Sequence, residues 1–122
     1  MAYNIKKQTK KQGDDIMIFG LSTALLDTCV LSILSKEDTY GYILTQNIKE
    51  VIDISETTLY PILRKLQARE LLTTYDKPYQ GRNRRYYKIT ELGKVKLEEN
   101  LKEWETYKLK IDHILSGGII NE

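Results

Sequence analysis

The spacing of apolar residues predicts three helices in the first half of the chain. Apolar positions recur at helical spacing over about residues 15–34, 40–50 and 55–66. The third helix begins at Ser55, a suitable N-cap, and Pro61 lies early enough in it to cost little. Its inward stripe is Leu59, Ile62, Leu63 and Leu66. The side chains that this stripe leaves facing outward are Thr57, Thr58, Tyr60, Arg64 and Lys65.

The second half of the chain predicts a hairpin and a long last helix. Two runs rich in β-branched and aromatic residues, 71–75 and 84–89, flank a polar segment that contains Pro78 and Gly81, which indicates a hairpin with a longer loop. Thr90 then caps a helix over about residues 91–115. Its apolar residues follow a heptad-like rhythm that suits pairing with another helix. We predict that they form a dimer interface: Leu97, Leu101, Trp104, Ile111 and Leu115.

Composition and charge favour one small folded domain with a polyanionic partner. The 122 residues are 41% hydrophobic and 30% charged, which predicts a packed core. The net charge of +2 is too small to indicate a nucleic acid by itself, but the basic residues are clustered. Residues 6–11 and 77–88 contain several Lys or Arg and no acid. The N-terminal cluster has two interpretations, an ordered extension that contacts DNA or a loose tail.

Catalytic and metal-binding functions are disfavoured by what the chain contains. With one cysteine, Cys29, and one histidine, His113, it has neither a disulfide framework nor a Cys/His metal cluster. No nucleophile and base stand out as a pair, so we expect no enzyme activity and no cofactor. Cys29 is either a small buried hydrophobe or a redox sensor. Without a signal peptide or a run of about 18 apolar residues, the protein is expected to be cytoplasmic.

The order of helix, helix, helix, hairpin and long helix resembles the PadR family of bacterial transcriptional regulators. The resemblance rests on YGY at 40–42, TLYPILRKL at 58–66, LL at 71–72, GRNRRYY at 81–87 and ITELG at 89–93. It covers about residues 25–115, nearly the whole chain. The TLYP element together with the basic hairpin is fairly specific, whereas each motif alone is weak.

The resemblance implies a mainly α fold with a small β-hairpin, a winged helix-turn-helix followed by a dimerisation helix. The implied parts are a basic N-terminal extension (1–14), a DNA-binding domain (15–90) and a C-terminal dimerisation helix and tail (91–122). The third helix enters the major groove of double-stranded DNA, and the hairpin reaches the neighbouring backbone or minor groove. The predicted DNA contacts are Tyr40, Ser55, Thr57, Thr58, Tyr60, Arg64, Lys65, Arg82, Asn83, Arg84 and Arg85. Tyr60 has a second interpretation, packing between helices.

The resemblance also suggests a ligand site, because some family members bind planar aromatic compounds between their subunits through a Trp of the last helix. Trp104 matches that position, although it is also a good interface anchor. The family's aromatic residue before the Trp and acid after it are replaced here by Leu101 and Lys108. Asp27 is a candidate negative group near such a site, or simply an exposed helix residue. A cationic effector is therefore disfavoured, and a neutral or anionic aromatic, or no ligand, is left.

These observations predict a homodimeric DNA-binding regulator that acts as a repressor at a pseudo-palindromic operator, with a small aromatic compound as its candidate effector. The alternative is a winged-helix module that binds another protein and no operator. Three arginines without an acid at the hairpin tip favour DNA.

Overall fold

The computed structural model describes residues 20–118, and it has seven elements in that range. The predictions for the N-terminal extension and for residues 15–19 of the first helix lie outside the described part. The same helix was predicted to include residues 20–22, and this is wrong, because Ser22 is its N-cap and the helix begins at Thr23. The elements are α1 (Thr23–Lys36), β1 (Thr39–Tyr40), α2 (Gly41–Lys49), α3 (Glu56–Ala68), β2 (Leu72–Tyr79), β3 (Arg82–Ile89) and α4 (Glu91–Leu115). Among these helices none combines the length and apolar character needed to cross a bilayer.

Three helices begin at a hydroxyl that caps the first turn. The side chains of Ser22, Ser55 and Thr90 each accept a hydrogen bond from the backbone N–H three residues later. The predicted caps at Ser55 and Thr90 are thus confirmed. The Thr90 hydroxyl also donates to the Glu70 carbonyl at 2.8 Å, which fastens the start of α4 to the end of α3.

The sheet has three antiparallel strands in the order β1–β3–β2, so β3 is paired along both edges. We did not predict β1, which is only two residues long. The prediction of a longer hairpin loop is wrong, because β2 and β3 pair as far as Tyr79 and Arg82. Gln80 and Gly81 between them form a two-residue turn with φ of 51° and 82°. Pro78 is tolerated because β2 is an edge strand.

The core joins the helices to the inner face of the sheet. Its fully buried residues come mainly from the leucine positions of α1, α2 and α3, and Tyr87 and Ile89 of β3 close it from the sheet. Leu97 belongs to this core at 8% exposure, so its prediction as a dimer-interface residue is wrong. The first turns of α4 pack against α1 of the same chain. The Leu97 position of the heptad-like pattern therefore serves packing within the chain.

An ion pair connects α1 with α3. Lys65 Nζ lies 2.9 Å from Asp27 Oδ2, and the Asp27 side chain is only 10% exposed. Two predictions are therefore wrong: Lys65 does not simply face outward, and Asp27 is not an exposed helix residue. Lys65 is next to the buried Leu66, and its long stem carries the ammonium inward along the protein surface to the carboxylate.

Removing the lysine of this pair is expected to cost stability. Lys65→Met leaves the largely buried Asp27 carboxylate without its cation, which should lower the free energy of unfolding by about 1–2 kcal/mol, since the pair is partly screened by solvent. The double variant Lys65→Met/Asp27→Asn removes the buried charge and should recover part of the loss. Urea unfolding measures both, with Arg69→Met on the exposed end of the same helix as the control. Equal stability of Lys65→Met and the parent would contradict a stabilising pair.

Candidate nucleic-acid interface

A basic groove of about 760 Å³ separates α3 from the hairpin formed by β2 and β3. Arg64 and Gln67 line it from the helix, and five residues line it from β3: Arg82, Asn83, Arg84, Arg85 and Tyr87. We call this space the basic groove, α3 the recognition helix, and the β2–β3 hairpin the wing. The arrangement places side chains from a helix and from a hairpin tip along one open surface.

Two different periodicities direct Arg64 and Arg85 into the basic groove. Leu63 and Leu66 are fully buried on the core side of the recognition helix, which turns Arg64 outward. Along β3, side chains alternate between faces, so Arg85 shares the inner face with the buried Tyr87. The sequence alternation that separates Arg85 from Arg82 and Arg84 is therefore present in the wing.

The two arginines bring positive charge to the Tyr87 hydroxyl. Burial raises the pKa of Tyr87, and the charges of Arg85 and Arg64 act in the opposite direction. Arg85 Nε also lies 3.9 Å from Asp76 Oδ1, but both side chains are more than half exposed, so this pair is weak. The guanidinium of Arg85 consequently stays available for an anion that enters the basic groove.

The outer face of the wing carries a cluster of tyrosines around Arg84. The Arg84 guanidinium carbon lies 3.8 Å from the ring centre of Tyr40 and 3.6 Å from that of Tyr79. Its Nη2 donates to the Tyr86 hydroxyl at 3.4 Å, and this hydrogen bond raises the pKa of Arg84. Of the three wing arginines, Arg84 is thus engaged by the protein itself, whereas Arg82 is exposed.

A second tyrosine contact ties the base of the wing to the segment that precedes β1. The Tyr75 hydroxyl donates to Asp38 Oδ2 at 2.7 Å, which raises the pKa of Tyr75 to about 12. The Tyr75 and Tyr86 rings stack with their centres 5.6 Å apart, and Tyr40 meets Tyr86 edge to face at 5.5 Å. The outer face of the sheet is therefore held by aromatic contacts.

The start of the recognition helix presents exposed hydroxyls. Thr57 is exposed, and Ser55 and Thr58 are also exposed, although the Ser55 hydroxyl caps the helix by accepting from Thr58 N at 3.3 Å. Tyr60 is half-buried: a Cβ added to Gly41 would lie 2.5 Å from its hydroxyl oxygen. Tyr60 therefore packs on α2, as its second interpretation expected, and also lines the basic groove.

Several residues of the basic groove were missed from the sequence, among them Gln67, Tyr79 and Tyr87. Gln67 lies three positions after Arg64, on the same side of a helix, and Tyr87 lies two after Arg85, on the same side of a strand. These two spacings would have identified both residues. Lys65, in contrast, was included on sequence grounds but is bound to Asp27.

The four residues considered for an effector are not brought together. Leu101 and Trp104 line an apolar groove of about 570 Å³ between α1, α2 and α4, together with Cys29, whose thiol pKa is raised by burial. Asp27 points instead toward the recognition helix, and Lys108 Nζ lies 3.3 Å from Glu105 Oε1. We call this space the apolar groove. Within residues 20–118 no group of three or more His, Cys, Asp or Glu is placed to hold a metal ion.

Comparisons with known proteins agree with this geometry. Residues 30–99 match the model of the transcriptional regulator PadR-like family. The crystal structure of smu.1704 from Streptococcus mutans UA159 is 43% identical, covers 87% of this chain and 100% of its own, and superposes with a TM-score of 0.78. A PadR family transcription regulator from Clostridium difficile R20291 is 31% identical over 74% of this chain and 97% of its own, with a TM-score of 0.69.

A curated relative is also a transcriptional regulator. The transcriptional regulator Rv3488 of Mycobacterium tuberculosis is 32% identical over 77 residues, which cover 62% of this chain and 72% of that protein. The winged helix-turn-helix fold is confirmed by these neighbours, and the family model indicates DNA-binding regulation of transcription. Fold, basic groove and family model together show that the chain belongs to the PadR-like family of transcriptional regulators.

Proposed function

We propose that the protein is a homodimeric repressor that binds a pseudo-palindromic operator in double-stranded DNA. The observation that carries the proposal is the convergence of Arg64 from the recognition helix and Arg85 from the wing on one open groove. A sugar–phosphate strand that follows the edge of the major groove fits between them, because it brings closely spaced negative charges to both.

The exposed side chains divide into two sets of proposed contacts. At the start of the recognition helix, the hydroxyls of Ser55, Thr57 and Thr58 lie at the positive end of the helix dipole, where phosphates bind. Further along, Arg64 and Gln67 extend from the helix and can reach base edges with the bidentate geometry that these side chains allow. Their spacing of three residues keeps both on the side that faces the groove.

The wing supplies the second set. Arg82 and Asn83 are exposed beside the two-residue turn, at the point of the hairpin that extends furthest from the core. From there they reach the backbone or the minor groove that flanks the recognition helix. Arg85 lies between the two sets, on the inner face of the wing, and we assign it to the phosphates next to the major groove.

The apolar groove supports a dimer. It is lined mainly by apolar side chains of α1, α2 and α4, and Leu101 and Trp104 remain 45% and 38% exposed beside it. Further along α4, Leu115 is also exposed and Ile111 is half-buried. A second copy that laid its α4 here would cover these residues and give the two recognition helices a two-fold relation. They would then reach successive major grooves roughly one helical turn apart.

We also propose a neutral planar aromatic compound as the effector class. Trp104 lines the apolar groove with its indole ring, and Glu105 and Lys108, which follow it on α4, form an ion pair and so favour neither sign of ligand. Such a compound, held where two α4 helices meet, would change the spacing of the two wings and with it the affinity for the operator.

Removing either groove arginine should flatten the salt dependence of DNA binding. Arg64→Ala and Arg85→Ala each lose one phosphate neutralisation, so the slope of log K against log salt concentration should fall by about 0.9. Fluorescence anisotropy over a salt series measures the slope. Lys102→Ala, which removes an exposed charge from α4, is the matched control and should keep the parent slope. Parent slopes for both arginine variants would refute the assignment of the basic groove to DNA.

Truncating Trp104 should weaken the dimer. Trp104→Ala deletes a large side chain that contributes to the apolar groove, and we expect the dimer dissociation constant to rise at least tenfold, in the range of an interface anchor. Sedimentation equilibrium measures this constant, with Val95→Ala at an exposed position of α4 as the control. A parent that sediments as a monomer at every concentration would overturn the dimer.

Trp104 is the only tryptophan, so its fluorescence reports directly on the apolar groove. Titration with the neutral aromatic probe N-phenyl-1-naphthylamine should quench it saturably, with about one binding event per groove, because stacking on the indole brings the two ring systems into contact. Leu101→Ala should weaken the quenching, and Leu92→Ala, away from that groove, should not. Quenching that stays linear up to the solubility limit of the probe would contradict the effector site.

A further inference from the structure

Arg84 differs from the other wing arginines because most of its guanidinium group is already in contact with the protein. The rings of Tyr40 and Tyr79 lie within 4 Å of its central carbon, at 3.8 and 3.6 Å. In the plane of the group, Nη2 donates to the Tyr86 hydroxyl at 3.4 Å, and Nε is buried without a hydrogen-bond partner within residues 20–118. We call Tyr40, Arg84 and Tyr79 the arginine stack.

This environment is poorly suited to a phosphate contact. A guanidinium binds a phosphate through two parallel N–H groups on one edge, and that edge has to be open to solvent. The burial of Arg84 Nε closes the edge formed by Nε and Nη2, and Nη2, which both edges share, already donates one N–H to Tyr86. The neighbouring arginines do not share the problem, because Arg82 is exposed and the Arg85 side chain is 63% exposed.

The position of the arginine stack in the fold indicates a different role. Tyr40 ends β1 and forms the N-cap of α2, whereas Tyr79 is the last residue of β2, next to the turn of the wing. Residues 75–83 are exposed throughout, so the outer half of the wing has few other packed contacts with the domain. An isolated two-stranded ribbon is marginally stable in water. Arg84 therefore connects the tip of the ribbon to the body of the protein.

We propose that Arg84 is a positioning residue that fixes the wing tip relative to the recognition helix and does not itself neutralise a phosphate. The inference rests on the proposed function, because it assigns to the wing tip the DNA contacts of Arg82 and Asn83. The two cation–π faces supply the attraction, and they require tyrosine rings on both sides of the arginine.

The test distinguishes the contribution of the tyrosine rings to DNA binding from that of the arginine charge. Tyr79→Leu removes one ring of the arginine stack and leaves every charge in place, whereas Tyr79→Phe keeps the ring and removes only the hydroxyl. If Arg84 positions the wing, Tyr79→Leu should weaken binding to the operator duplex by about tenfold, as Arg84→Ala does, and Tyr79→Phe, which keeps the ring, should recover most of that loss. The double variant Tyr79→Leu/Arg84→Ala should be no weaker than either single variant, because both remove the same contact.

A second measurement uses the protein without DNA. Amide hydrogen exchange over residues 76–83 should become faster in Arg84→Ala and in Tyr79→Leu, and it should be unchanged in Arg82→Ala, which removes an equal charge from the same face of the wing. Exchange in α1 and α3 reports whether each variant stays folded. Tyr40 is left intact in these variants because it also lies at the start of α2.

Two results would overturn the inference. One is weaker operator binding for Arg84→Ala with parent-like binding for Tyr79→Leu, which would make Arg84 a phosphate contact. The other is parent-like exchange of residues 76–83 in Arg84→Ala, which would mean that the arginine does not hold the wing. A parent protein that binds no duplex preferentially would instead overturn the proposed function, and the exchange measurement would still decide the role of Arg84 in the wing.

Discussion

The pairing of β3 along both of its edges is the constraint on which the interface depends. Because β1 and β2 both bond to it, its register is fixed, and each side chain is assigned to one face of the sheet. Tyr87 and Ile89 on the inner face close the core, and Arg85 on that same face is thereby directed toward the recognition helix. A shift of one residue in either direction would exchange the faces and bury Lys88 at the position of Tyr87 or Ile89.

The recognition helix reaches the same groove by an independent route. Its leucines at helical spacing bury one side against α1 and α2, which leaves Arg64 and Gln67 on the side toward the wing. The ion pair of Lys65 with Asp27 ties this helix to α1 at a second point. One core thus supports both halves of the interface, since the helix and the inner face of the sheet pack on the same buried residues. Both Arg84 and Arg85 line the groove, but they lie on opposite faces of β3: Arg85 is on the face of the core, and Arg84 is on the other face between the rings of Tyr40 and Tyr79.

Sequence patterns predicted those parts of the fold that depend on local spacing. The helices, the caps at Ser55 and Thr90 and the existence of the wing all follow from periodicity and from residue preferences at helix ends. β1 could not be predicted, because two residues carry no period and its pairing with β3 joins positions about 47 apart. The long hairpin loop was wrong because Pro78 suggested a break, while an edge strand accepts a proline.

The residues of the candidate site were likewise predictable only where local spacing determines them. Outward positions on the recognition helix and the alternation of the wing arginines are local properties and were accessible from the sequence. The Lys65–Asp27 pair and the contact of Arg84 with Tyr40 join residues far apart in the sequence, and no local pattern signals them. Leu97 shows a further limit, since a heptad-like stripe does not distinguish packing within one chain from packing between two.

The most direct test of the account is binding to the duplex upstream of the protein's own gene, measured by fluorescence anisotropy with excess nonspecific DNA at two salt concentrations. The account predicts binding that resists the competitor, weakens as salt rises and protects a two-fold symmetric site. The account would be contradicted if the competitor removed all binding to this duplex and if selection from a library of random duplexes also yielded no preferred sequence. The basic groove would then have to serve a partner other than an operator.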